Sequence, residues 1–477
     1  MNKLIKTLAL ALLICPSFHG LGQQVKKPNI IIILADDLGW GDVGFHGSDI
    51  KTPNIDKLSR EGLILNHYYT APVCSPTRAG LLTGRYPNRF GLRQTVIPPW
   101  SDFGLDITEE FIPQMLQAAG YLNRAVLGKW HLGHAKKEYL PLQRGFTHFY
   151  GHYNGAIDYF THMREGELDW HNDEESSYDK GYSTDLISDE AVKCIQNYSK
   201  ESPFFMYVAF NAPHGPLQAK DEDLFLYGYD SSRPKFGKMS GYEDESGYGS
   251  LGKGNTPRQT YAAMVTSLDS GIGRILNTLK ELGIEDNTLV LFQSDNGAAP
   301  NEGGTSGKLR GLKFQEWEGG VRAPAIVKWP AAFKGGRTIE QVMGYIDVAP
   351  TLREIAGIKT SPAKPYDGLS MLSVWKGEKK QVDRNIYLGY GSIISNQWKL
   401  VKANSGNEKM KASDDMLFEI IKDPFEEKNV RLAHPEIYKQ LNAMVSEFDA
   451  IKSSLQVPPY GEGRKGFKAP KEWKITR

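Results

Sequence analysis

Cysteine is scarce in this chain: its 477 residues contain three, at positions 15, 74 and 194. So few cysteines exclude a disulfide-rich scaffold of the kind that small secreted domains use. Charge of one sign is not in excess either, because 57 Lys and Arg residues balance 56 Asp and Glu residues. The balance gives no global reason to expect nucleic acid or a membrane surface as a partner, so an anionic ligand would need a local basic cluster.

Long apolar runs are missing beyond the N-terminus, so we expect no membrane span and a soluble mature protein. Residues 1–22 combine Lys3 and Lys6 with a short apolar run and a Gly-Leu-Gly sequence, which predicts a cleaved signal peptide. The mature protein is therefore expected to be periplasmic or secreted. A lipid-anchored form through Cys15 is the alternative, and the bulky Ile14 before that cysteine argues against it.

Strand-like and helix-like segments alternate along most of the chain. Short β-branched or aromatic runs predict buried strands that end near Leu34, Leu127, Phe210 and Gln293. Helix-like segments lie at 52–62, 107–120 and 260–283. The alternation predicts the α/β class, with a large mixed, mostly parallel sheet sandwiched by helices.

Past about residue 380 the pattern changes to short strand-like runs separated by charged, turn-rich stretches. We predict a main domain at 23–380 and a smaller C-terminal domain at 381–477, with a short antiparallel sheet and a helix at 435–455. Residues 227–259 are rich in Gly, Ser and charge. A long loop inside a compact domain is usually functional or disordered, and we favour a loop on the ligand side.

Polar residues follow each of the four predicted strands. They are Asp36 and Asp37, Lys129 and His131, His214, and Asp295 and Asn296. Ligands of open α/β sheets bind outside the carboxyl ends of the strands, so we expect these side chains to lie together. One such residue could be a helix cap or a turn residue, but four groups together are hard to explain in that way.

The acidic part of this set offers only oxygen ligands: Asp36, Asp37, Asp295 and Asn296. Calcium and magnesium prefer such ligands, whereas zinc would favour histidine or thiolate. Adjacent carboxylates repel each other unless they are neutralised, which also favours a divalent cation. The alternative is that both pairs are ordinary turn residues.

The basic part of the set predicts a binding site for a tetrahedral oxyanion and a proton source for a leaving oxygen. It comprises Arg78, Lys129, His131, His214 and Lys313. Lys129 and His131 are two residues apart, so in an extended segment they would point to the same side. A lone histidine or lysine would more often be an exposed surface residue, and it is the expected proximity to the acidic set that favours a site.

Cys74 lies in the sequence VCSPTRAGLLTGR, in a Pro-rich loop that opens onto a predicted helix. Pro76 suits the first turn, where a helix needs no N–H group. A helix N-terminus would lower the pKa of the thiol and make it reactive. A thiolate that attacked sulfur or phosphorus would, however, leave a stable ester. Cys194 lies in a helix-like stretch and is predicted to be a small buried apolar residue.

The sequence Cys74-Ser75-Pro76-Thr77-Arg78, followed by Ala-Gly-Leu-Leu-Thr-Gly-Arg, resembles the signature of type I sulfatases. The resemblance covers nearly the whole mature chain and is nearest to the arylsulfatase B (N-acetylgalactosamine 4-sulfatase) branch and its bacterial polysaccharide relatives. It implies an alkaline-phosphatase-like fold and hydrolysis of sulfuric esters. It also implies that a maturation enzyme oxidises Cys74 to formylglycine (3-oxoalanine).

The resemblance also assigns roles to the two sets. The implied calcium ligands are Asp36, Asp37, the modified residue 74, Asp295 and Asn296. Arg78 and Lys129 would contact the aldehyde hydrate and the sulfate, and His131 would help to expel sulfate. His214 and Lys313 would bind the sulfate and assist departure of the sugar oxygen.

An aldehyde hydrate explains why a cysteine would be converted at this position. One of its two hydroxyls would attack sulfur and displace the alcohol. The other, once deprotonated, would restore the aldehyde and release sulfate. Lys313 is preferred over the nearby Lys308 because of its distance from the Glu-Gly-Gly-Val-Arg sequence.

Residues 151–173 resemble the carbohydrate-active members and add Asp158, His162 and Arg164 as candidates for contact with sugar hydroxyls, sulfates or carboxylates. The alternative is that the aromatic residues there only pack a loop. The implied substrate is a sulfated polysaccharide or oligosaccharide, either algal, such as ulvan or carrageenan, or a glycosaminoglycan. A phosphonate or phosphodiester hydrolase of the same superfamily and a catalytically inactive carbohydrate-binding relative are the alternative functions.

Overall fold

The computed structural model describes residues 27–93, 95–199, 202–237, 248–410 and 412–475. The predicted signal peptide and residues 238–247 of the predicted long loop lie outside the described residues. Within the described ranges, none of the helices combines the length and the apolar character that a membrane crossing requires.

In chain order, the strands are β1 (Asn29–Ala35), β2 (Leu63–Leu65), β3 (Tyr68–Tyr69), β4 (Arg124–Lys129), β5 (His148–His152), β6 (Met163–Arg164), β7 (Glu167–Leu168), β8 (His171–Asn172), β9 (Glu175–Ser176), β10 (Phe205–Ala209), β11 (Thr288–Ser294), β12 (Ala325–Lys328), β13 (Arg337–Ile339), β14 (Met343–Gly344), β15 (Asn385–Tyr387), β16 (Ile393–Ser395), β17 (Trp398–Val401) and β18 (Met416–Glu419).

The α-helices of the described residues follow the same order. They are α1 (Pro53–Glu61), α2 (Cys74–Thr83), α3 (Ile112–Gln117), α4 (Ser183–Tyr198), α5 (Asp221–Phe225), α6 (Pro257–Glu281), α7 (Glu318–Val321), α8 (Val348–Ile355), α9 (Leu372–Trp375) and α10 (Pro435–Asp449).

Within the described residues, ten strands form one sheet in the order β13-β2-β12-β11-β1-β10-β4-β5-β8-β9. The five strands β11, β1, β10, β4 and β5 are parallel to one another, and antiparallel pairs flank them on both sides. The predicted mixed, mostly parallel sheet is confirmed. Since β11, β1, β10 and β4 are consecutive neighbours, their carboxyl ends lie side by side at one edge.

The sheet separates two apolar cores, as strand β1 shows. Its residues alternate between them: Ile30 and Ile32 pack into one core with residues of α2 and α3, whereas Ile31 and Ile33 pack into the other with residues of α1, α4 and α6. A strand covered by helices on both faces is apolar on both faces, which explains the unbroken isoleucine run. The predicted sandwich is confirmed.

Helix α3 is shorter than the helix predicted at 107–120. It covers only Ile112–Gln117, with Pro113 in its first turn. Proline is best tolerated at a helix start, and Gly120 follows with a φ of 86°, a left-handed conformation that interrupts a helix. Pro113 and Gly120 therefore delimit the helix, and the hydrophobic pattern alone overestimates its length.

The C-terminal part contains the predicted antiparallel sheet, formed by β15, β16, β17 and β18, and the helix α10. Lys399 of β17 is fully buried and lies 2.9 Å from a carboxylate oxygen of Glu318 and 2.9 Å from one of Glu426. We call Lys399, Glu318 and Glu426 the buried ion cluster. Because Glu318 begins α7, the cluster joins this small sheet to that helix.

Candidate active site

The acidic residues are positioned by the ends of two neighbouring strands. Asp36 and Asp37 follow β1, and Asp295 and Asn296 follow β11. Asp37 has a φ of 63°, so the chain turns sharply directly after the strand. The Tyr261 hydroxyl, on α6, lies 3.0 Å from the Asp37 carbonyl oxygen and holds the turn from the helix layer.

The acidic side chains contact one another and Cys74. The Asp37 N–H donates to Asp295 Oδ1 at 3.1 Å, and the Asn296 amide donates to Asp37 Oδ1 at 2.6 Å. The Cys74 thiol lies 3.4 Å from Asp36 Oδ1 and 3.8 Å from Asp37 Oδ1. Residue 74 is therefore surrounded by carboxylates and not by an apolar core.

Helix α2 places Cys74 at this point. The helix begins at Cys74, is buried along its whole length and ends at Thr83, directly before Gly84, which has a φ of 69°. Its start is fixed by Thr77, whose hydroxyl accepts the Ala71 N–H at 3.0 Å, and by Ser75, whose hydroxyl donates to the His131 carbonyl at 3.0 Å. The sequence Cys-Ser-Pro-Thr-Arg thus begins a helix whose first residues lie between β1 and the loop after β4.

Three buried cations lie against the three carboxylates. The Lys129 ammonium contacts Asp36, and Lys313 Nζ lies 2.8 Å from Asp37 Oδ2. The Arg78 guanidinium donates to Asp295 Oδ2 at 2.9 Å and, through Nη1, to the Lys129 carbonyl at 3.0 Å. Lys308, the alternative to Lys313, is exposed.

The two histidines of the predicted set lie at the edge of this cluster. His214 Nε2 is 3.7 Å from Asp37 Oδ2, and its Nδ1 donates to the Gly215 carbonyl at 2.6 Å. His131 Nε2 donates to the Ile97 carbonyl at 3.1 Å, and His131 Nδ1 is buried with no partner among the described residues. His131 has a φ of 59°, so the extended segment predicted from Lys129 to His131 is wrong: the chain turns after β4.

Burial and the neighbouring charges shift the titration of these groups in opposite directions. Burial alone would raise the pKa of Asp37, but Lys313, His214 and Lys129 together hold it well below its usual value. Burial and Asp36 raise the pKa of Asp295 to about 6, against the influence of Arg78. Burial lowers the pKa of His214 to about 3, although Asp37 opposes the shift.

The thiol behaves differently from the sequence-based prediction. Burial and the nearby Asp295 raise the pKa of Cys74 well above its ordinary value, so the helix N-terminus does not produce a reactive thiolate. Lys313 shows the opposite balance: burial would lower its pKa, but Asp37 raises it well above the usual range. The lysine is therefore a permanent cation, and Cys74 as encoded is a protonated, weak nucleophile.

A metal ion fits the acidic residues. Ligand atoms of Asp36, Asp37, Cys74 and His214 all lie within 4.8 Å of one another. Asn296 Oδ1 is buried beside them and has no hydrogen-bond partner among the described residues. A buried carbonyl oxygen without a donor is costly unless a cation binds it, and oxygen-rich sites suit calcium or magnesium.

Each of the three residues predicted to contact substrate makes a polar contact within the fold, although Arg164 Nε is buried without a partner among the described residues. The Asp158 carboxylate is buried and accepts the Gln218 amide at 2.8 Å. His162 stacks on Trp170 with ring centroids 4.6 Å apart, and the Arg164 guanidinium contacts the Tyr248 hydroxyl. Their substrate contact stays a prediction.

Glu302 belongs to the neighbourhood of the site but was not predicted. Its buried carboxylate accepts the Gly215 N–H at 2.9 Å, directly beside His214, and contributes to the raised pKa of Lys313. Residues 301–304, Asn-Glu-Gly-Gly, carry no chemical motif. The only sequence signal that could have pointed to Glu302 is its position shortly after the end of β11.

Comparison with known proteins agrees with this geometry. The family described as Sulfatase matches residues 28–358, and the C-terminal region of N-sulphoglucosamine sulphohydrolase matches residues 313–452. Arylsulfatase J of Mus musculus is 31% identical over 91% of this chain and 78% of its own length. N-acetylgalactosamine-6-sulfatase of Mus musculus is 33% identical over 77% of this chain and 70% of its own.

A solved structure shares the fold as well. Ps i-CgsB, in complex with k-i-k-neocarrahexaose, has a TM-score of 0.78 and 30% identity, covering 92% of this chain and 96% of its own. Fold and site together define a hydrolase of sulfuric esters. The chain belongs to the sulfatase family, so the type I sulfatase resemblance is confirmed, whereas the arylsulfatase B branch stays a prediction.

Proposed function

We propose that this sulfatase removes sulfate from a sulfated polysaccharide or oligosaccharide, with residue 74 acting as formylglycine and calcium bound beside it. The observation that carries the proposal is the position of Cys74 Sγ, 3.4 Å from Asp36 and within the group of metal-binding candidates. A protonated thiol has no evident use there, whereas an oxygen nucleophile formed at the same carbon would lie next to the cation site.

The calcium ligands would be Asp36, Asp37, Asp295, Asn296 and the modified residue 74. Calcium would supply positive charge to the sulfate oxygens and to the nucleophile. The three carboxylates are balanced by Arg78, Lys129 and Lys313 in the structure, so a divalent ion gives the site a net charge of plus two. A positively charged, water-poor site favours an anionic sulfate ester.

The lysines and histidines would then act on the substrate. With Asp36 and Asp37 bound to calcium, the ammonium groups of Lys129 and Lys313, which contact these carboxylates in the structure, would be available to the sulfate oxygens. His214 Nδ1 donates to a carbonyl, so its neutral ring presents an unprotonated Nε2 towards the site. A bound anion would raise the pKa of this ring, so that Nε2 could carry a proton to the leaving sugar oxygen.

The substrate class is supported by the relatives. Ps i-CgsB was solved with a neocarrahexaose, and a second relative is named N-acetylgalactosamine-6-sulfatase. A sulfated algal polymer or a glycosaminoglycan fragment fits both. We propose in addition that the signal peptide directs the protein to the periplasm or the medium, and that a formylglycine-generating enzyme is its maturation partner.

The test is expression with a formylglycine-generating enzyme, followed by mass analysis of the peptide that contains Cys74 and by sulfate release from sulfated oligosaccharides. The aldehyde peptide should be present, and Cys74→Ala should remove all turnover. Cys194→Ala is the matched control, because Cys194 is also buried but lies outside the site, and it should retain activity.

Three results would contradict the proposal. Turnover by a chain whose Cys74 peptide is entirely unmodified would exclude the formylglycine nucleophile. A clear rate preference for a phosphodiester or phosphonate monoester over the sulfate ester would support the alternative hydrolase. Converted protein that binds the oligosaccharide without releasing sulfate would instead indicate an inactive carbohydrate-binding relative.

A further inference from the structure

A second group of metal-ligating side chains lies away from the proposed active site. His148, Glu190 and Cys194 each direct a ligand atom to one point, and these atoms lie within 4.8 Å of one another. His148 is the first residue of β5, so the group lies towards the amino end of that strand. The active site lies at the opposite, carboxyl end of the neighbouring strand β4.

We propose that these three side chains bind a transition-metal ion of the zinc type, independently of sulfatase activity. The ligands would be His148 Nε2, a Glu190 carboxylate oxygen and the Cys194 thiolate. Imidazole and thiolate are the ligands that zinc selects, in contrast to the oxygen ligands of the active site. The two sites would therefore discriminate between hard and soft cations.

Helix α4 places two of the ligands on one face. Glu190 and Cys194 are four residues apart, so their side chains are neighbours on the helix surface. Strand β5 packs beside this face and adds His148. Cys194 is buried in the core, as predicted, and its sulfur also lies 3.9 Å from a Glu190 carboxylate oxygen and 3.6 Å from the Tyr198 hydroxyl.

The separations match a tetrahedral ion. With zinc bond lengths near 2.1 Å for N and O and 2.3 Å for S, ligand atoms lie about 3.4 Å apart for an N–O pair and about 3.6 Å for an S–O pair. In this group His148 Nε2 is 3.0 Å from Glu190 Oε1, and Cys194 Sγ is 3.9 Å from the same oxygen. Small rotations of the side chains would accommodate the ion.

The histidine is held in the orientation that a metal ligand requires. Asp173 Oδ1 accepts from His148 Nδ1 at 2.9 Å, which directs Nε2 towards Glu190, where it lies 3.0 Å from Oε1. The same oxygen accepts the Phe149 N–H at 3.0 Å, so the carboxylate is fixed by the backbone. A carboxylate behind a histidine in this way is a recurrent feature of zinc sites.

Solvent can reach the proposed site, and an ion that binds there would displace the ammonium group of Lys193 from Glu190. The side chains of His148 and Glu190 are 15% and 12% exposed, so solvent reaches the group. Lys193, which is 64% exposed, bonds the Glu190 carboxylate at 3.0 Å and can turn into solvent when an ion binds. The Nε2 proton that His148 shares with Glu190 and the thiol proton of Cys194 would both leave to solvent, and a water molecule would complete the coordination.

The test uses the full chain with Cys15→Ser and Cys74→Ala, which leaves Cys194 as its single thiol. Cobalt(II) is the probe, because cobalt bound to a thiolate gives a charge-transfer absorption band that oxygen ligands do not give. We expect the band to saturate at one equivalent per chain and to disappear when zinc is added. Ions in the oxygen-only site would not contribute to it.

Variants distinguish the site from an ordinary group of ion pairs. Cys194→Ser and His148→Gln should abolish the band, and Lys193→Ala should retain it. A second measurement uses the wild-type chain: zinc should raise its Tm relative to chelator, and His148→Gln should remove this increase. No band from a folded parent chain, or a band that survives Cys194→Ser, would overturn the proposal.

Discussion

The Lys313 ammonium lies 2.8 Å from the Asp37 carboxylate, and both side chains are buried at the carboxyl edge of the sheet. We expect Lys313→Ala to lower kcat by about 10²–10³-fold, because a fixed cation at the developing charge is lost. Sulfate release by the matured enzyme measures the effect. The exposed Lys308 provides the matched variant, and Lys308→Ala should keep nearly the full rate; equal losses in both variants would remove Lys313 from the site.

Asp295 links the proposed metal site to Arg78, whose guanidinium donates to it at 2.9 Å. Asp295→Asn keeps the shape of the side chain but removes one negative charge from the ligand set. We expect less calcium per chain and a lower rate, measured by elemental analysis and by sulfate release. Unchanged calcium stoichiometry in a folded Asp295→Asn protein would rule out its role as a ligand.

The sequence allowed the site to be predicted because its chemistry is local. Asp36 and Asp37 follow directly after an apolar run, so the strand end predicts them, whereas the role of Cys74 is implied by the resemblance of its short motif to the type I sulfatase signature. The structure brings these residues together because β1, β10, β4 and β11 are neighbours, an order that no local pattern reveals. Lys313 illustrates the limit of prediction from local patterns, since only the resemblance of the chain to a known family distinguishes this lysine from Lys308.

The buried ion cluster should contribute strongly to stability. Lys399→Ala would leave the carboxylates of Glu318 and Glu426 buried without their cation, and removing one partner of a buried pair costs about 3–5 kcal/mol. We expect the free energy of unfolding in urea to fall by that amount. Lys422→Ala tests the same change at an exposed pair with Glu419, where the effect should stay below about 1 kcal/mol.

The same cluster shows what sequence patterns do not reveal. Lys399 occurs in a strand of alternating residues, where a lysine is normally expected to be solvent-exposed. It is buried because Glu318 and Glu426, which are distant in sequence, converge on it. Glu302 is similar: its neighbour His214 is 88 positions away in the chain, and only the tertiary structure joins them.

The stability of the fold should depend on pH through buried neutral histidines, of which His152 is the clearest. Burial lowers the pKa of His152 from 6.5 to about 3, with Lys129 acting in the same direction and Asp169 against it. The unfolded chain therefore binds a proton between these two values that the folded chain does not. The contribution of neutral His152 to the free energy of unfolding is fully present above pH 6.5. Between pH 6.5 and about 3 it decreases as the pH falls, by about 1.4 kcal/mol per pH unit.

His152→Phe tests that contribution, because it removes the titrating group and keeps an aromatic ring in contact with Trp170. Urea unfolding at a series of pH values should show a shallower acid-side slope for the variant than for the wild type. An identical slope in the two proteins would mean that His152 is not the group that takes up the proton.

Cys74 is only 1% exposed, and every residue of α2 around it is buried. An enzyme that oxidises Cys74 would have to bind the segment from Cys74 to Arg78. In the folded protein this segment is buried and therefore inaccessible to another protein. If Cys74 is oxidised as proposed, the modification would therefore precede folding, during or soon after synthesis. The yield of active sulfatase would then depend on the relative rates of two processes: oxidation of Cys74 in the nascent chain, and packing of α2 against the sheet. Slower folding should therefore increase the fraction of chains in which Cys74 is converted.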